Sequence, residues 1–581
     1  MKSKHYIVGA SLIGLVAVFV GAPLIMARAD SIRLKVETGE ITAAAHLRNL
    51  PQLQKALNQT EGTLANVSLA GHLLFYAKAI PHWGAVYGDV MNLVAGGYDM
   101  SKAASLTLSA LPPHLNSHGL KTVIRDWPTV TSHLRPVEPW VDKAASALAL
   151  VNRQDLPGAL RGQWLHIMQL RKTLQALARY SPLIIASGPV VDTVMGENHP
   201  QRYLVMFENS GELRATGGFL TAYGYLELNK GKITAMSAQN TYALLSRIRY
   251  RPPAPPPIAK YVYTPTWHLR DANWSPNVPT AVAKIYQFYD SIPKAPPVAG
   301  TFLVTTWFVD RLLADVGPVA VDTGSGTVMV TAQNANYQME YMAEKSGLSQ
   351  TQRKAFIGTM MKAVLERAFA AKGKALEKIL GTVVTGLNQK LLLLYFGDTK
   401  AEQLTQQVNW GGTIDRHVPG NYLEVVDENL GGHKDNFYIK EYVRVTIVRR
   451  LETIRITWVN PAAPDNNWLV VPYSDWVRVY LPLGTKLLGI EGQNGAIEQY
   501  TNSEVDKFVV GTHVTEPIKA SVSAPPASGT LVFRVELPQK LSLTSFTIQK
   551  QPGVPVVHYL VHIGNHSRTL DLREDTRLTG L

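Results

Sequence analysis

The 581-residue chain contains no cysteine, which excludes disulfides, thiolate nucleophiles, zinc ribbons and iron–sulfur ligation together. Charged residues make up only 17% of it and apolar residues 46%. An average soluble chain is roughly 25% charged, so there is ample material for packed cores and wholesale disorder is excluded. Domains of about 100 to 200 residues predict about three or four here, which excludes a single small module. Gly-x-Gly-x-x-Gly, the Walker phosphate loop, His-Glu-x-x-His and Gly-x-Ser-x-Gly are all missing, and with them the common local signatures of nucleotide, zinc-protease and hydrolase sites. Ser275-Pro-Asn277, Ser291-Ile-Pro-Lys294 and Lys345-Ser-Gly347 have the residue types of penicillin-recognising serine enzymes. Their order is wrong, and Pro293 opposes the helix that would set Ser291 and Lys294 one turn apart. The motifs name no reaction and no cofactor.

What is present begins with charge. Fifty-seven Lys and Arg face 44 Asp and Glu, a formal net charge of +13, which favours anionic polymers or anionic membrane surfaces. Tyr6 to Ala27 is a run of 22 residues without a charge, long enough as a helix to span a hydrocarbon core of about 30 Å. Lys2 and Lys4 precede it and Arg28, Arg33 and Lys35 follow, so flanking charge does not set its orientation. It reads as a signal-anchor that holds the chain to the bilayer. The alternative is a cleaved secretory signal, since Ala27-Arg28-Ala29 precedes Asp30 in the small-x-small pattern of a cleavage site. Both send the chain to a bacterial cell membrane, single-pass if the segment is retained, with the bulk extracytoplasmic.

The expected organisation is an α+β multidomain chain. An N-terminal transmembrane helix (1–29) precedes a helical membrane-proximal region (30–190), a central α/β domain (191–422) and a C-terminal all-β sandwich (423–581). Leu160, Trp164, Ile167, Leu174 and Leu177 are spaced to line one helical face, and prolines at 81, 112, 113, 128 and 157 are expected to cut the region into pieces. Strand patterns at Arg202–Phe207 and Phe219–Leu228, then Asn229-Lys230-Gly231 and Lys232-Ile233-Thr234, predict a hairpin. The run 251–257, five of its residues proline, is expected to be an exposed extended loop. Helices are expected over 281–289 and 309–315, a buried strand at 301–304, and a capping box, Ser349 with Gln352, at the start of another helix. Beyond residue 423, Glu452, Ile454, Ile456 and Trp458 alternate with Thr453, Arg455 and Thr457, a two-residue period that recurs to residue 563 and predicts the sandwich.

The densest polar cluster runs from Glu208 through Glu212, Arg214, Thr216, Gly217 and Gly218. Carboxylates, hydroxyls, an arginine fork and glycine-freed backbone suit an anion or pyrophosphate cradle. The competing reading is an internal Glu–Arg pair that fixes a loop. Arg270, Asp271 and Trp274 form a second cluster, whose indole would stack on a sugar or cover the core. Asp427 to Asn436 is rich in oxygen donors, but Tyr438 stands where an EF-hand loop needs Glu, leaving a satisfied turn as the reading against a calcium loop. His558 and His562 share a strand face, either a metal bridge or an exposed polar face without a carboxylate partner. No metal site is assigned.

Five segments, Glu208 to Lys232, Leu269 to Pro276, Leu391 to Phe396, Val425 to Lys434 and Lys550 to Gly553, occur in an order that resembles the bacterial membrane-protein family known as domain of unknown function 4012. The core Glu-Leu-Arg-x-Thr-Gly-Gly-Phe carries most of that likeness, which implies an anchored envelope protein of unassigned activity. The layout around Lys232-Ile233-Thr234 and Leu312 to Val319 is similar to the LytR–CpsA–Psr phosphotransferases, which would imply handling of polyprenyl pyrophosphate-linked glycopolymers. Ser237-Ala-Gln-Asn240 departs from that family by lacking its arginine and acid. The leading expectation is a membrane-anchored envelope protein that binds or organises an anionic surface glycopolymer, with no nucleic acid partner. The alternatives are a glycopolymer phosphotransferase or hydrolase, with Arg214 and Arg270 clamping pyrophosphate and Asp271 as base or metal holder, and a structural scaffold whose terminal sandwich docks proteins.

Overall fold

The computed structural model describes residues 36, 37, 40, 41, 43, 50–72, 83–110, 120–323, 326–347, 350–463, 467–517 and 521–580. The apolar run from Tyr6 to Ala27 and Ser349 of the capping box lie outside these described residues. Among the described residues no helix is long and apolar enough to cross a membrane. The chain divides into two units, Met1–Thr193 and Val194–Leu581.

The first unit is helical, with helices Leu50–His72, Trp83–Ala110, Leu120–Leu134, Glu138–Ala149 and Trp164–Val194. Leu160, Ile167 and Leu174 are buried beside Val94 and Leu148, as their spacing predicts, but Leu177 is 39% exposed. Pro128 does not break the chain: it lies inside Leu120–Leu134, and Pro182 and Pro189 lie inside Trp164–Val194. A helical proline strands the carbonyl four residues back. At Pro182 that carbonyl is Ala178's, and Ser181 Oγ reaches it at 3.5 Å.

The second unit opens with a five-stranded sheet built from β1 (Gln201–Asn209), β2 (Phe219–Asn229), β3 (Lys232–Asn240) and β4 (Gly300–Thr305). A small hairpin, β5 (Val319–Asp322) with β6 (Thr327–Val330), stands apart, and β7 (Leu392–Phe396) completes the sheet in the order β3-β2-β1-β4-β7. Within this sheet β1 and β4 pair in parallel and the other pairs are antiparallel. The predicted β2–β3 hairpin forms, with Lys230 at φ 51° and Gly231 at φ 68° in the turn, the left-handed pair that two-residue hairpins favour. Alternation sends Leu204 and Met206 of β1 to a core with helix Val278–Tyr289. Phe207 goes to the opposite core with helices Thr306–Val316, Gln350–Ala370 and Gly373–Asn388. Helices therefore cover both faces of the sheet. The proline run departs from expectation, because Pro256 and Pro257 open a short helix, Pro256–Tyr261, with Pro257 buried. Proline suits a helix's first turn, where its missing N–H is not needed.

The rest is a sandwich. Its strands are β8 (Asn421–Val426), β9 (Lys440–Val448), β10 (Leu451–Asn460), β11 (Tyr473–Pro482), β12 (Lys486–Glu491), β13 (Glu498–Asn502), β14 (Lys507–Glu516), β15 (Ala527–Glu536), β16 (Ser545–Gln549), β17 (Val557–Ile563), β18 (His566–Leu572) and β19 (Thr576–Thr579). They form two six-stranded sheets, β12-β15-β10-β9-β17-β18 and β13-β14-β11-β8-β16-β19. Ile454, Ile456 and Trp458 point into the core between them, as the alternation predicts. β8 and β11 are buried on both faces. Leu423, Val425, Val477 and Val479 face the sandwich core, while Tyr422, Val426 and Tyr480 join Ala215, from the loop after β1, in a second apolar cluster. The second sheet thus has a covered outer face, and there the α/β part meets the sandwich.

Candidate functional site

The loop between β1 and β2, residues 210–218, runs along that junction. β1 is bulged between Phe207 and Glu208, which re-aims the strand's end. Glu208 is buried and accepts hydrogen bonds from Thr216 Oγ1 and, at 3.1 Å, from Asn273 Nδ2. Burial pushes its carboxyl up to about 8, against those two bonds. The loop tightens at Gly217, at φ 136°, where a Cβ would stand 2.7 Å from Glu208 Oε2. Across the junction, Gly553 at φ 75° brings its backbone so close that a Cβ there would meet Gly217 Cα at 2.2 Å. Two glycines facing each other allow the loop and the sandwich to touch backbone to backbone.

Arg214 sits at the centre with 1% of its surface exposed. Its Nη2 donates to Glu212 Oε1 at 2.9 Å and to Asp271 Oδ1 at 3.3 Å. Its Nη1 donates to the Asn429 carbonyl and, at 3.2 Å, to the Leu213 carbonyl. Lys434 Nζ holds the other Glu212 oxygen at 2.6 Å. Burial would raise the Glu212 pKa, but Lys434 and Arg214 outweigh it and hold the carboxyl below its ordinary value. Asp271 is raised, first by burial, with Arg214 and Arg270 opposing. Arg270 Nε lies 3.4 Å from Asp271 Oδ2, so Arg214, Arg270 and Asp271 converge as one group. Trp274 is half-buried, its ring 4.4 Å from the Arg478 guanidinium carbon, and Arg478 also donates to the Trp274 carbonyl and pairs with Glu428 at 2.6 Å.

All five segments singled out in the sequence, from Glu208 to Gly553, reach this seam. Asn429 N–H donates to the Leu213 carbonyl at 3.0 Å, and Gln551 Nε2 donates to the Asp427 carbonyl at 2.8 Å and the Arg214 carbonyl at 3.3 Å. Gly553 N–H donates to the Lys390 carbonyl, and Thr305 N–H and Oγ1 both donate to the Leu391 carbonyl. Lys390, fully buried, pairs with Asp575 at 2.8 Å. Neighbouring Lys550 is also buried, and desolvation, with Lys390 beside it, lowers its amine to about 7. Arg478, Glu428, Lys434 and Gln551 were not singled out as site residues by the sequence reading. A lone arginine inside the apolar strand Trp476-Val477-Arg478-Val479-Tyr480 is the signal that finds Arg478.

Both Nη atoms of Arg214, both Glu212 oxygens and Asp271 Oδ1 are directed at protein partners in an interior seam, while Arg214 Nε is buried without a hydrogen-bond partner among the described residues. The arrangement fixes the loop and orients the two halves of the second unit against each other. Asp427 does not face an open loop: it is buried, accepts from Trp458 Nε1 at 2.9 Å and is raised to about 6, burial being the main cause. Among the described residues no group of three or more His, Asp or Glu is arranged to hold a metal. His558 does have a carboxylate partner, contrary to expectation: Asp571 on β18 lies 2.8 Å from Nδ1, and Tyr442 stacks on the ring. Strand pairing supplies Asp571 from 13 residues away.

A separate group of cations lies beside the seam, with Arg247, Arg249 and Arg251 exposed and Arg270 and Lys284 half-buried. After β3 the chain turns through Tyr242 and the stretch Arg247-Ile248-Arg249-Tyr250-Arg251, where Ile248 is buried and all three arginines are exposed. The Arg270 guanidinium lies 5.0 Å from the centre of the Tyr242 ring. Lys284 Nζ lies 4.7 Å from the Trp267 ring and 5.5 Å from that of Tyr250. His268 is lowered first by burial and then by Arg270, with Asp271 opposing and Arg251 adding to the shift.

Residues 198–343 match the family described as "Protein of unknown function (DUF4012)". No curated protein matches the chain. Among solved structures, the Lin1025 protein from Listeria innocua is similar at 10% identity and a TM-score of 0.23, over 39% of this chain and 85% of that one. A likeness of that size carries no argument about fold or chemistry. No similarity to the LytR–CpsA–Psr phosphotransferases accompanies the family match.

Proposed function

We propose, from the match of residues 198–343 to this family of unknown function, that the protein is a membrane-anchored, extracytoplasmic envelope protein that binds anionic surface glycopolymer. The observation that carries the binding part is the cluster of cations and aromatic rings at Tyr242, Arg247, Arg249, Arg251, Arg270 and Lys284. Exposed guanidinium groups neutralise phosphate or carboxylate repeats, and aromatic faces stack on sugar rings. The net charge of +13 supports long-range attraction to such a polymer. The anchor is Tyr6 to Ala27.

Catalysis is not part of this reading. The arginines and acids of the seam are engaged with one another, which supports a structural role for Glu208, Glu212, Arg214, Thr216, Gly217, Gly218 and Asp271. Arg270 belongs to both regions, since it pairs with Asp271 on one side and lies over Tyr242 on the other, whereas Trp274 packs against Arg478 in the seam.

Two measurements test the reading. Binding of the full chain to purified teichoic-acid-type polymer should weaken about tenfold or more between low and physiological salt, because several phosphate contacts are lost together. Replacing Arg247, Arg249 and Arg251 together by Ser should remove most of it without a change in melting temperature. Salt-independent binding, or binding untouched by the triple change, overturns the assignment of this face. For the anchor, protease added to intact cells should digest residues beyond 30, and recovery of the chain in the soluble fraction overturns it.

A further inference from the structure

The helical unit contains an apolar cavity of about 470 Å³. Its wall is formed by side chains such as Leu57, Met100, Leu108, Val141, Leu174 and Ile185, and the polar lining residues are Thr107, Glu138, Thr173 and Ser181. All five helices contribute to it, together with Ile41. On helix Trp164–Val194 the lining positions Leu170, Leu174, Leu177, Ser181 and Ile184 follow the spacing of a stripe that ordinarily packs on a neighbour. Here Leu170 and Leu174 pack into the helical core while the later part of the stripe borders the cavity, with Leu177 and Ile184 39% and 36% exposed.

We propose that this cavity binds the hydrocarbon chain of a membrane lipid. Ligand sites of about 300 to 1,000 Å³ with mostly apolar walls are the usual size for small molecules. An apolar cavity of about 150 Å³ takes a six-carbon ring, so this one has room for a chain of about 18 carbons. The few polar groups lining the wall leave little to hold water or a sugar, and a dry apolar cavity favours an apolar occupant. Position argues for a lipid as its source. Ile41 stands 14 residues after Ala27, so the cavity wall lies within about 50 Å of the end of the apolar segment even when the intervening chain is fully extended. The choice of a bilayer as the source rests on the anchored reading; the cavity and its chemistry do not.

The test uses the full-length chain in vesicles of phosphatidylglycerol and phosphatidylcholine, with a trace of phosphatidylcholine bearing a diazirine near the end of a 16-carbon chain. After photolysis, adducts are mapped by peptide mass spectrometry. Adducts are expected on segments containing Leu57, Met100 and Leu174. Ala104→Phe, which fills the cavity, should reduce them by about tenfold, since each buried methylene contributes roughly fourfold in binding. Ser181→Phe, at another lining position, serves if Ala104→Phe lowers the melting temperature. Palmitate should compete and octanoate should not. Labelling of Tyr6 to Ala27 without labelling of the cavity wall overturns the inference and leaves the anchor standing. Wall adducts without labelling of Tyr6 to Ala27 overturn the anchor and leave the cavity's role intact. Undiminished wall labelling in both filled variants also overturns the inference.

Discussion

Arg214 and Arg249 carry the same guanidinium and lie in the same unit, yet they occupy opposite environments. Arg214 is enclosed by Glu212, Asp271 and backbone carbonyls at the junction between the sheet and the sandwich. Arg249 lies on the outside, exposed like Arg247 and Arg251. A buried arginine is committed to its partners because losing them leaves an unpaired charge out of water. An exposed one keeps its hydration and remains available to a polyanion. Residue type and local motif do not separate a buried, paired arginine from an exposed one; packing does.

The largest expected effect breaks the seam. Arg214→Ala should cost about 3–5 kcal/mol, read by denaturant melts of the full chain, because Glu212 and Asp271 lose their shared cation in the interior. Arg249→Ala should change stability by less than about 0.5 kcal/mol. If Arg214→Ala is equally mild, the seam is not the lock that its geometry describes. Next, Gly553→Ala should cost about 1–3 kcal/mol or more, since it forces a side chain into a left-handed conformation against Gly217. A melting temperature unchanged by that substitution would remove the backbone contact from the account.

The pH dependence sharpens the same contrast. Glu208 has a folded pKa raised to about 8 from 4.5. Between those values the folded state holds more protons than the unfolded state, so this group's contribution to stability falls as pH rises from about 4.5 to 8, by at most about 1.4 kcal/mol per pH unit. Lys550 works in a different window. Its amine is lowered to about 7 from 10.5, so its contribution rises with pH from about 7 to 10.5. Glu208→Gln, which keeps a neutral side chain of the same shape, should flatten the acid-side slope measured from pH 5 to 7. A slope identical to that of the unaltered protein would place Glu208 outside the pH response. The smallest effect lies outside the seam: breaking the half-exposed His558–Asp571 pair by Asp571→Asn should cost about 1 kcal/mol or less.

Much of the fold was legible because it follows from local periodicity. The alternation of Ile454, Ile456 and Trp458 placed a strand face in a core, and Asn229-Lys230-Gly231 specified a hairpin turn. Pro128 and Pro256 were misleading for a shared reason. Proline removes one donor, and neighbouring side chains, packing or a helix's first turn make that loss tolerable where sequence alone predicts a break. The candidate site was half legible. Glu212, Arg214 and Asp271 were found as a polar group, but Arg478, Lys434 and Gln551 come from strands and loops more than 200 residues from Arg214. No local pattern links such positions.

The order of residues by itself determined the element types, the absence of thiol chemistry, the excess of positive charge and the apolar N-terminal run. It also assembled the acids and arginines into clusters whose chemistry suits either an ion-pair lock or an anion cradle. Only tertiary structure decided which of those groups are paired in the interior and which stay in water, because desolvation depends on what packs against a group rather than on its neighbours in the chain. The sandwich covers Arg214 and leaves Arg247, Arg249 and Arg251 uncovered, and that difference in access to water separates the seam from the face proposed to meet the polymer.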